Sequence, residues 1–237
     1  ANELIIFALK IDRSKVLYMQ NETLTKGQIN DIKKCLNKRK KGFPIQYILG
    51  EWEFYSLPFK VGRGVLIPRA DSELLVDLAI DEIGHGDEKE VFDLCSGSGA
   101  LGIAVAKECS NASVKKKKKS RKAFDYLKQN VSLNKVTVRA ERADIFKWKP
   151  KKKADLIICN PPYIDIKEMT KLQKEVKNEP TVALYGGRDG LKFYRLLVLR
   201  CEELLNKGGR MIVEIGYRQA EKVSSLFEAA GFEQIEV

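Results

Sequence analysis

The chain has 237 residues, a hydrophobic fraction of 44% and a formal net charge of +11, so it can hold one large domain or a main domain with a smaller one. No apolar run approaches the ~20 residues of a membrane-spanning helix, and no signal-peptide pattern opens the chain. Five cysteines without CxxC spacing and a single histidine exclude a zinc site and are typical of the reducing cytoplasm. Because Ala1 stands where Met is usual, we expect a trimmed start.

The basic residues are concentrated in three runs, Lys38–Lys41, Lys115–Lys119 and Lys151–Lys153. Such runs are more often solvated surface than specific binding sites. The net charge therefore gives only weak support for an anionic partner such as RNA.

The first 42 residues indicate a small helical domain. Helical spacing of apolar residues predicts a helix over residues 4–20, broken near Asp12–Ser14. Thr25 and Gln28 have the spacing of a capping box, and the helix that follows is expected to end at Gly42. A unit of this size buries little core alone, so we expect it to pack against its neighbour.

Residues 43–68 are rich in aromatic residues, Gly and Pro. The strands Trp52–Tyr55 and Phe59–Val61 are predicted to form a hairpin that links two domains. Their aromatic side chains favour a hairpin core over a base-stacking platform.

A helix is predicted next, with Asp71 or Ser72 as its cap. Its apolar face is expected to comprise Leu74, Leu75, Leu78, Ala79 and Ile83. His85 then lies in an exposed turn, and Arg69 and Glu73 are interpreted as a structural pair without a catalytic role.

From residue 90 onward, strands and helices alternate, which is typical of a parallel α/β sheet. Strands are predicted over 90–94, 112–118, 136–139, 154–159, 210–215 and 232–237. Helices are predicted over 100–108, 120–133, 190–205 and 217–230, with a turn at Asn206–Gly209. The expected fold is a doubly wound, mostly parallel sheet preceded by the helical domain and the hairpin.

A glycine-rich turn, Cys95–Gly99, joins the first strand of this sheet to its first helix, just after Asp93. Such a turn lets a ligand approach the backbone closely and directs helix N-terminal N–H groups at it. With Gly102, the turn also matches the dinucleotide pattern GxGxxG. A dehydrogenase, however, explains neither Asp93 nor the segment described next.

The segment Asn160-Pro161-Pro162-Tyr163 follows the apolar strand over 155–159. Asn160 offers one carbonyl acceptor and two N–H donors. The prolines stiffen the loop, and Tyr163 adds a flat aromatic face. Such a site suits a planar amide or amino nitrogen whose two hydrogens are accepted by the carbonyls of Asn160 and Pro161. A plain Pro-Pro turn after a strand is the alternative.

Together, D-x-x-x-G-x-G in the first βα turn and N-P-P-Y after the fourth strand resemble the S-adenosylmethionine-dependent methyltransferases that modify planar nitrogen. Further segments make the chain similar, over essentially its whole length, to the release factor glutamine methyltransferases; these are Phe43–Gly50, Glu53–Tyr55, Val65–Glu73, Gly186–Leu191, Phe193–Arg195, and Glu214–Gly216 with Gln219. That family methylates the side-chain nitrogen of the glutamine in the Gly-Gly-Gln loop of peptide-chain release factors.

The resemblance implies specific roles for individual residues. The cofactor would be bound by Asp93, Cys95, Ser96, Gly97, Ser98, Gly99, Lys118, Asp144, Ile145 and Asn160. The substrate glutamine would be held by Asn160, Pro161, Pro162 and Tyr163, of which Asn160, Pro161 and Tyr163 would be catalytic.

The resemblance also implies the organisation and partners of the protein. The sheet would be of the seven-stranded, Rossmann-like methyltransferase type, with a helical substrate-recognition domain over 1–42, a linker over 43–68 and the methyltransferase domain over 69–237. Peptide-chain release factors would be the protein substrates of a cytoplasmic monomer with no metal, no membrane association and no stable nucleic-acid partner.

Three positions depart from that family: Cys95 replaces a Gly, Ile145 an aromatic residue, and Lys118 the acid that binds the ribose hydroxyls. Lysine has no acceptor for a hydroxyl, and the run Lys115–Lys119 would bury several charges in a parallel strand. Either the segment is basic and the cofactor site altered, or these five letters do not report the natural protein; the second interpretation is favoured.

Two other functions remain open at this point. One is methylation of an exocyclic amine of adenine or guanine in nucleic acid, which the segment Asn160–Tyr163 suits equally well. The other is a binding module that kept the fold and lost cofactor affinity through Lys118. The resemblance over residues 43–73 favours the protein substrate.

Overall fold

The computed structural model of the protein describes residues 2–18, 22–117 and 120–237. Its first helices are α1 (Asn2–Leu9), α2 (Arg13–Tyr18) and α3 (Lys26–Lys40). The predicted capping box is present, since the side chains of Thr25 and Gln28 each accept a hydrogen bond from the other residue's backbone N–H. The last two residues of the helix predicted over 4–20 lie outside the described residues.

A short helix that the sequence analysis missed, α4 (Ile45–Leu49), follows α3. Its Ile48 packs with Leu4 and Cys35 in a small apolar cluster. α4 thereby attaches the hairpin segment to α1 and α3.

The hairpin is present with a tighter turn than predicted. β1 (Glu51–Phe54) and β2 (Leu57–Lys60) pair antiparallel, with Phe54 opposite Leu57. Only Tyr55 and Ser56, both at positive φ, form the turn, as in the two-residue turns that match the twist of a hairpin. Pro58 therefore lies inside β2, where the free edge of a two-stranded sheet tolerates its missing N–H.

α5 (Glu73–Ile83) follows a 3-10 turn at Ala70–Ser72. Its buried residues are Leu75, Val76, Ala79 and Ile83. The prediction that Leu74 and Leu78 share this face is wrong, because they are 60% and 45% exposed. His85 is exposed in the following turn, as predicted.

The predicted parallel sheet is confirmed, with the strand order β5-β4-β3-β6-β7. Its strands are β3 (Lys89–Leu94), β4 (Ala112–Lys117), β5 (Arg139–Glu141), β6 (Ala154–Cys159) and β7 (Leu205–Val213). The helices among and after them are α6 (Ala100–Glu108), α7 (Arg121–Asn134), α8 (Ile166–Lys171), α9 (Lys192–Leu199), α10 (Cys201–Leu204) and α11 (Ala220–Ala229). The strand order reverses between β3 and β6, which opens a crevice at their carboxyl ends.

Alternating side chains of the central strands fill two cores, one on each face of the sheet. On β3, Val91 packs in the core that includes α5, α6, α7 and the hairpin. Phe92 and Leu94 pack in the opposite core with residues of α9 and α11. The sheet is therefore covered on both faces.

Several predicted boundaries differ from the structure. Asn206–Gly209 lies within β7, where the register passes from Leu205 opposite Ala154 to Arg210 opposite Leu156. The extra residues form a bulge, so Asn206–Gly209, which was predicted as a turn, is accommodated within an irregular strand. The helix predicted over 190–205 is interrupted at Arg200, and β5 begins three residues later than expected.

The prediction of a strand over 232–237 is also wrong. Phe232 and Ile235 instead pack against the core that contains Phe92. Within the described part of the chain the parallel sheet thus has five strands.

β4 carries two lysines of the basic run into the protein interior. Lys116 is 0% exposed, and its Nζ donates to Gly99 O at 2.6 Å and lies 3.5 Å from Asp93 Oδ2. Lys115 Nζ lies 2.8 Å from Glu90 Oε2. Burial lowers the pKa of Lys116 to about 8, against the opposing effect of Asp93. The expected burial of charge therefore occurs, and the charges are paired.

Candidate active site

A cavity lies at the carboxyl ends of β3 and β6. It is lined by Phe54, Leu66, Ile67, Pro68, Arg69, Ser72, Cys95, Ser96, Gly97, Ser98, Ala100, Leu101 and Asn160. The structure thus brings the predicted turn Cys95–Ser98 and the predicted Asn160 to one site, although they are far apart in the sequence.

The turn after β3 places its backbone along the cavity wall. Gly97 has a φ of 53° and Gly99 a φ of 87°. A Cβ on Gly99 would collide with Leu127 Cδ1, so only glycine fits where α6 begins. Asp93 is buried, and its Oδ2 accepts a hydrogen bond from Gly102 N at 3.1 Å.

This turn fits the amino-acid end of S-adenosylmethionine. Gly97 lines the cavity without a side chain, so a ligand can reach the backbone there. The N–H groups at the start of α6 suit a carboxylate. Cys95 has a φ of 61°, a conformation that costs a residue with a Cβ about 1–2 kcal/mol.

Two predicted adenine neighbours, Asp144 and Ile145, do not line this cavity. Asp144 Oδ1 accepts a hydrogen bond from Phe146 N at 3.2 Å, and the carbonyl of Ile145 accepts one from Arg200. They follow β5 on the far side of β4. Lys118, the predicted ribose neighbour, lies outside the described residues.

Asn160 is held by two side chains that the sequence analysis did not place in the site. Its Nδ2 donates to Ser72 Oγ at 3.0 Å and to Glu214 Oε2 at 2.6 Å. Ser72 Oγ in turn donates to Glu214 Oε2. Among the described residues, no hydrogen bond reaches Asn160 Oδ1 or the carbonyl of Pro161. Because Asn160 lines the cavity, its Oδ1 is available there as an acceptor.

The rest of the loop after β6 is packed tightly. Pro161 and Pro162 are buried. Gln219 Nε2 donates to Tyr163 O at 3.0 Å, and a Cβ on Gly186 would lie 2.7 Å from Pro162 O. The segment Gly186–Gly190, which on its own predicts only a turn, therefore also supports the loop.

Two tyrosine hydroxyls converge on Glu214. Tyr163 donates to Glu214 Oε1 at 3.2 Å, and Tyr194 donates to Glu214 O at 2.9 Å. Burial, followed by the charge of Glu214, raises the pKa of Tyr163 to about 12, and burial also raises the pKa of Tyr194. Both hydroxyls therefore remain protonated donors near neutral pH.

Arg69 and Glu73 do not form the predicted pair. Arg69 instead pairs with Glu179, whose Oε2 accepts a hydrogen bond from Ile67 N at 3.0 Å. Glu73 Oε1 accepts one from Tyr55 N at 2.8 Å. Both acids fix backbone beside the cavity, which agrees with a structural role.

The described residues form neither a metal-binding cluster nor a membrane-spanning helix. They contain no group of three or more His, Cys, Asp or Glu side chains placed to hold a metal ion. Their helices include none that is long and apolar enough to cross a membrane.

Comparison with known proteins gives matches over the whole chain. A family model described as the methyltransferase small domain matches residues 70–184, and one described as the PrmC N-terminal domain matches residues 1–50. Among solved structures, a methyltransferase from Pyrococcus furiosus has a TM-score of 0.55 at 17% identity, over 86% of this chain and 85% of that one. The hMettl16 catalytic domain in complex with the MAT2A 3'UTR hairpin 6 has a TM-score of 0.59 at 16% identity, over 76% of this chain and 69% of that one.

The fold and the domain match define a methyltransferase. Two relatives, each named release factor glutamine methyltransferase, extend the likeness to the sequence. The one from Thermodesulfovibrio yellowstonii is 39% identical over 100% of this chain and 86% of its own length. The one from Clostridium acetobutylicum is 38% identical over 98% of this chain and 84% of its own length. The chain belongs to the release factor glutamine methyltransferase family.

Proposed function

We propose that the protein transfers a methyl group from S-adenosylmethionine to the side-chain amide nitrogen of the glutamine in the Gly-Gly-Gln loop of peptide-chain release factors. One observation carries the proposal: Asn160 lines the same cavity as Cys95–Ser98, and its amide NH2 is bound by Ser72 and Glu214. An acceptor oxygen is thereby left beside the turn suited to the methyl donor.

The acceptor oxygens of Asn160 and Pro161 act through geometry and charge. When bound, the cofactor would supply an electrophilic methyl group on its sulfonium; the methyl–sulfur bond would break as the nitrogen–carbon bond forms, S-adenosylhomocysteine would leave, and the amide nitrogen would release one proton. Asn160 Oδ1 and the carbonyl of Pro161 accept the two amide hydrogens and hold the nitrogen in line for attack. These acceptors also suit the positive charge that develops on the nitrogen as it attacks. Tyr163 contributes a flat face against the amide plane.

The cofactor residues are assigned by position in the fold. Cys95, Ser96, Gly97, Ser98 and Gly99 would hold the methionine part through backbone N–H groups, near Asp93. Asp144 and Ile145 would flank the adenine from the segment after β5, and the family resemblance alone assigns the ribose position to Lys118.

We assign substrate recognition to residues 1–42, a linking role to 43–68, and catalysis to 69–237. Contacts that hold the helical part near the loop after β6 support this division. Arg39 Nη2 lies 3.2 Å from Glu175 Oε1, and Asn178 Nδ2 donates to Gly42 O at 3.0 Å. The protein would act as a cytoplasmic monomer, without a stable nucleic-acid partner or a membrane.

Transfer of a labelled methyl group tests the proposal. The protein is incubated with methyl-labelled S-adenosylmethionine and either a release factor or RNA. Label is expected in the release factor, on the glutamine of its Gly-Gly-Gln loop, and absent from a release factor with that glutamine changed to alanine. Label in RNA alone would overturn the proposal.

A further inference from the structure

The Glu214 carboxylate receives hydrogen bonds from three side chains. Asn160 and Ser72 donate to its Oε2, and Tyr163 donates to its Oε1. The donors come from the 3-10 turn before α5 and from the loop after β6, whereas Glu214 follows β7. None of these bonds belongs to a helix or strand ladder, so this carboxylate serves to bring the loop segments together.

The acceptor character of Glu214 determines which way the amide of Asn160 points. A carboxylate ion accepts hydrogen bonds and cannot donate one. The hydroxyl hydrogen of Ser72 is used toward Glu214, so Ser72 Oγ can only accept from Asn160. Both groups on this side are therefore acceptors, and only the NH2 of Asn160 fits against them.

On the basis of the proposed function, we infer that Glu214 is a positioning residue that fixes the Asn160 amide in one orientation and makes the site select a glutamine over a glutamate side chain. A glutamine presents two hydrogens to Asn160 Oδ1 and Pro161 O. A glutamate presents only oxygens, which those same acceptors repel. If the Asn160 amide were reversed, its Nδ2 would face the substrate and this selection would be lost.

Three variants separate orientation from stability. Glu214→Gln keeps the size of the side chain and adds a donor, so the Ser72 hydroxyl can turn and both orientations of Asn160 become available. Ser72→Ala leaves the carboxylate facing Asn160 and retains the orientation. Tyr194→Phe is the matched control, because it removes a buried hydroxyl that donates to the backbone oxygen of Glu214 and lies 3.4 Å from Gln219 Oε1.

The preference for glutamine is measured with two ligands: a release factor, and the same release factor with glutamate in place of the loop glutamine. The dissociation constant of each is determined with S-adenosylhomocysteine present, and the two constants are compared as a ratio. In the wild type the glutamate form should bind at least about tenfold more weakly. Its carboxylate oxygens would face Asn160 Oδ1 and Pro161 O with no hydrogen between them, which is energetically costly. Ser72→Ala and Tyr194→Phe should keep that ratio. Glu214→Gln should reduce it to within about threefold; an unchanged ratio would overturn the inference.

The orientation is also measured without any substrate. The side-chain amide protons of Asn160, identified in an ¹⁵N spectrum by their loss in Asn160→Asp, should exchange slowly in the wild type. In Glu214→Gln they should exchange at least about tenfold faster, because the charged acceptor is gone. Equal exchange rates would contradict the inference.

The two measurements keep the two proposals apart. Slow wild-type exchange without any methylation of a release factor would refute the proposed function and leave the positioning role intact. If Glu214→Gln does not fold, Ser72→Ala tests the inference. An orientation set by Glu214 requires that Ser72→Ala still bind the glutamine form more tightly than the glutamate form, and equal dissociation constants in that variant would contradict it.

Discussion

The buried Lys116 leads to a testable dependence of stability on pH. Its Nζ contacts Gly99 O and Asp93 Oδ2 at full burial, and burial lowers its pKa from 10.5 to about 8. Between these two values the unfolded chain binds a proton that the folded chain has lost. The free energy of unfolding should therefore rise with pH in this interval. Below about pH 8 the lysine is protonated in both states, and the destabilisation from burying its ammonium group has its full value.

The size of the effect follows from the two pKa values. At about 1.4 kcal/mol for each tenfold change in the proton equilibrium, the fall from 10.5 to about 8 corresponds to a penalty of about 3 kcal/mol. Of this, about 2 kcal/mol should be recovered between about pH 7.5 and about pH 9.5. Lys116→Met, a side chain of similar length without a charge, should lack this contribution.

Urea unfolding at a series of pH values, followed by tryptophan fluorescence, measures the effect. Burial raises the pKa of the Cys109 and Cys159 thiols, which lowers stability at high pH in both proteins. The difference between wild type and Lys116→Met therefore isolates the lysine. Lys115→Met, which removes a partner of Glu90 and keeps Lys116, should retain the wild-type dependence. Parallel curves for wild type and Lys116→Met would refute the reasoning.

Three further predictions concern the active site. Asn160→Ala should lower the single-turnover rate by about 10²-fold or more and leave S-adenosylmethionine affinity, from calorimetric titration, nearly unchanged; equal losses in both would reject the assigned role. Cys95→Gly should raise the free energy of unfolding by about 1 kcal/mol because it relieves a positive φ, whereas Ser96→Gly, outside the left-handed region, should lower it in the same urea titration. Gly190→Ala should abolish turnover, since a Cβ there would collide with Tyr163 O. Gly208→Ala, at a similar φ of 77° with open space around it, should cost only about 1–2 kcal/mol of stability, and equal activity of the two alanine variants would contradict the steric argument.

The alternation of strands and helices was predictable because it is a local signal. β3, α6 and β6 were placed to within a residue, since each has an apolar pattern bounded by turn residues. The less regular elements were not. α4 is only five residues long, and the glycines at 208 and 209, which usually end an element, lie in a bulge of β7.

The two motifs of the site were recognisable because each is contiguous in sequence. The sequence did not place Ser72, Glu214 and Gln219 in the site, because these residues approach Asn160–Tyr163 only through the fold. Ser72 was one of two predicted helix caps, with Asp71, yet it makes no cap hydrogen bond and its hydroxyl donates to Glu214 instead. Nothing in the local sequence distinguishes these two uses of a serine.

The strand order has a consequence for local opening of the site. β6 lies between β3 and β7, whereas β7 has a strand partner on one side only among residues 2–18, 22–117 and 120–237. Edge strands open more often than central ones because fewer hydrogen bonds protect them. Asn160 follows the central strand and Glu214 follows the edge strand, so fraying of β7 separates the pair while the sheet stays folded. Loss of activity on warming is then expected to precede global unfolding, with amide hydrogens of β7 exchanging ahead of those of β6.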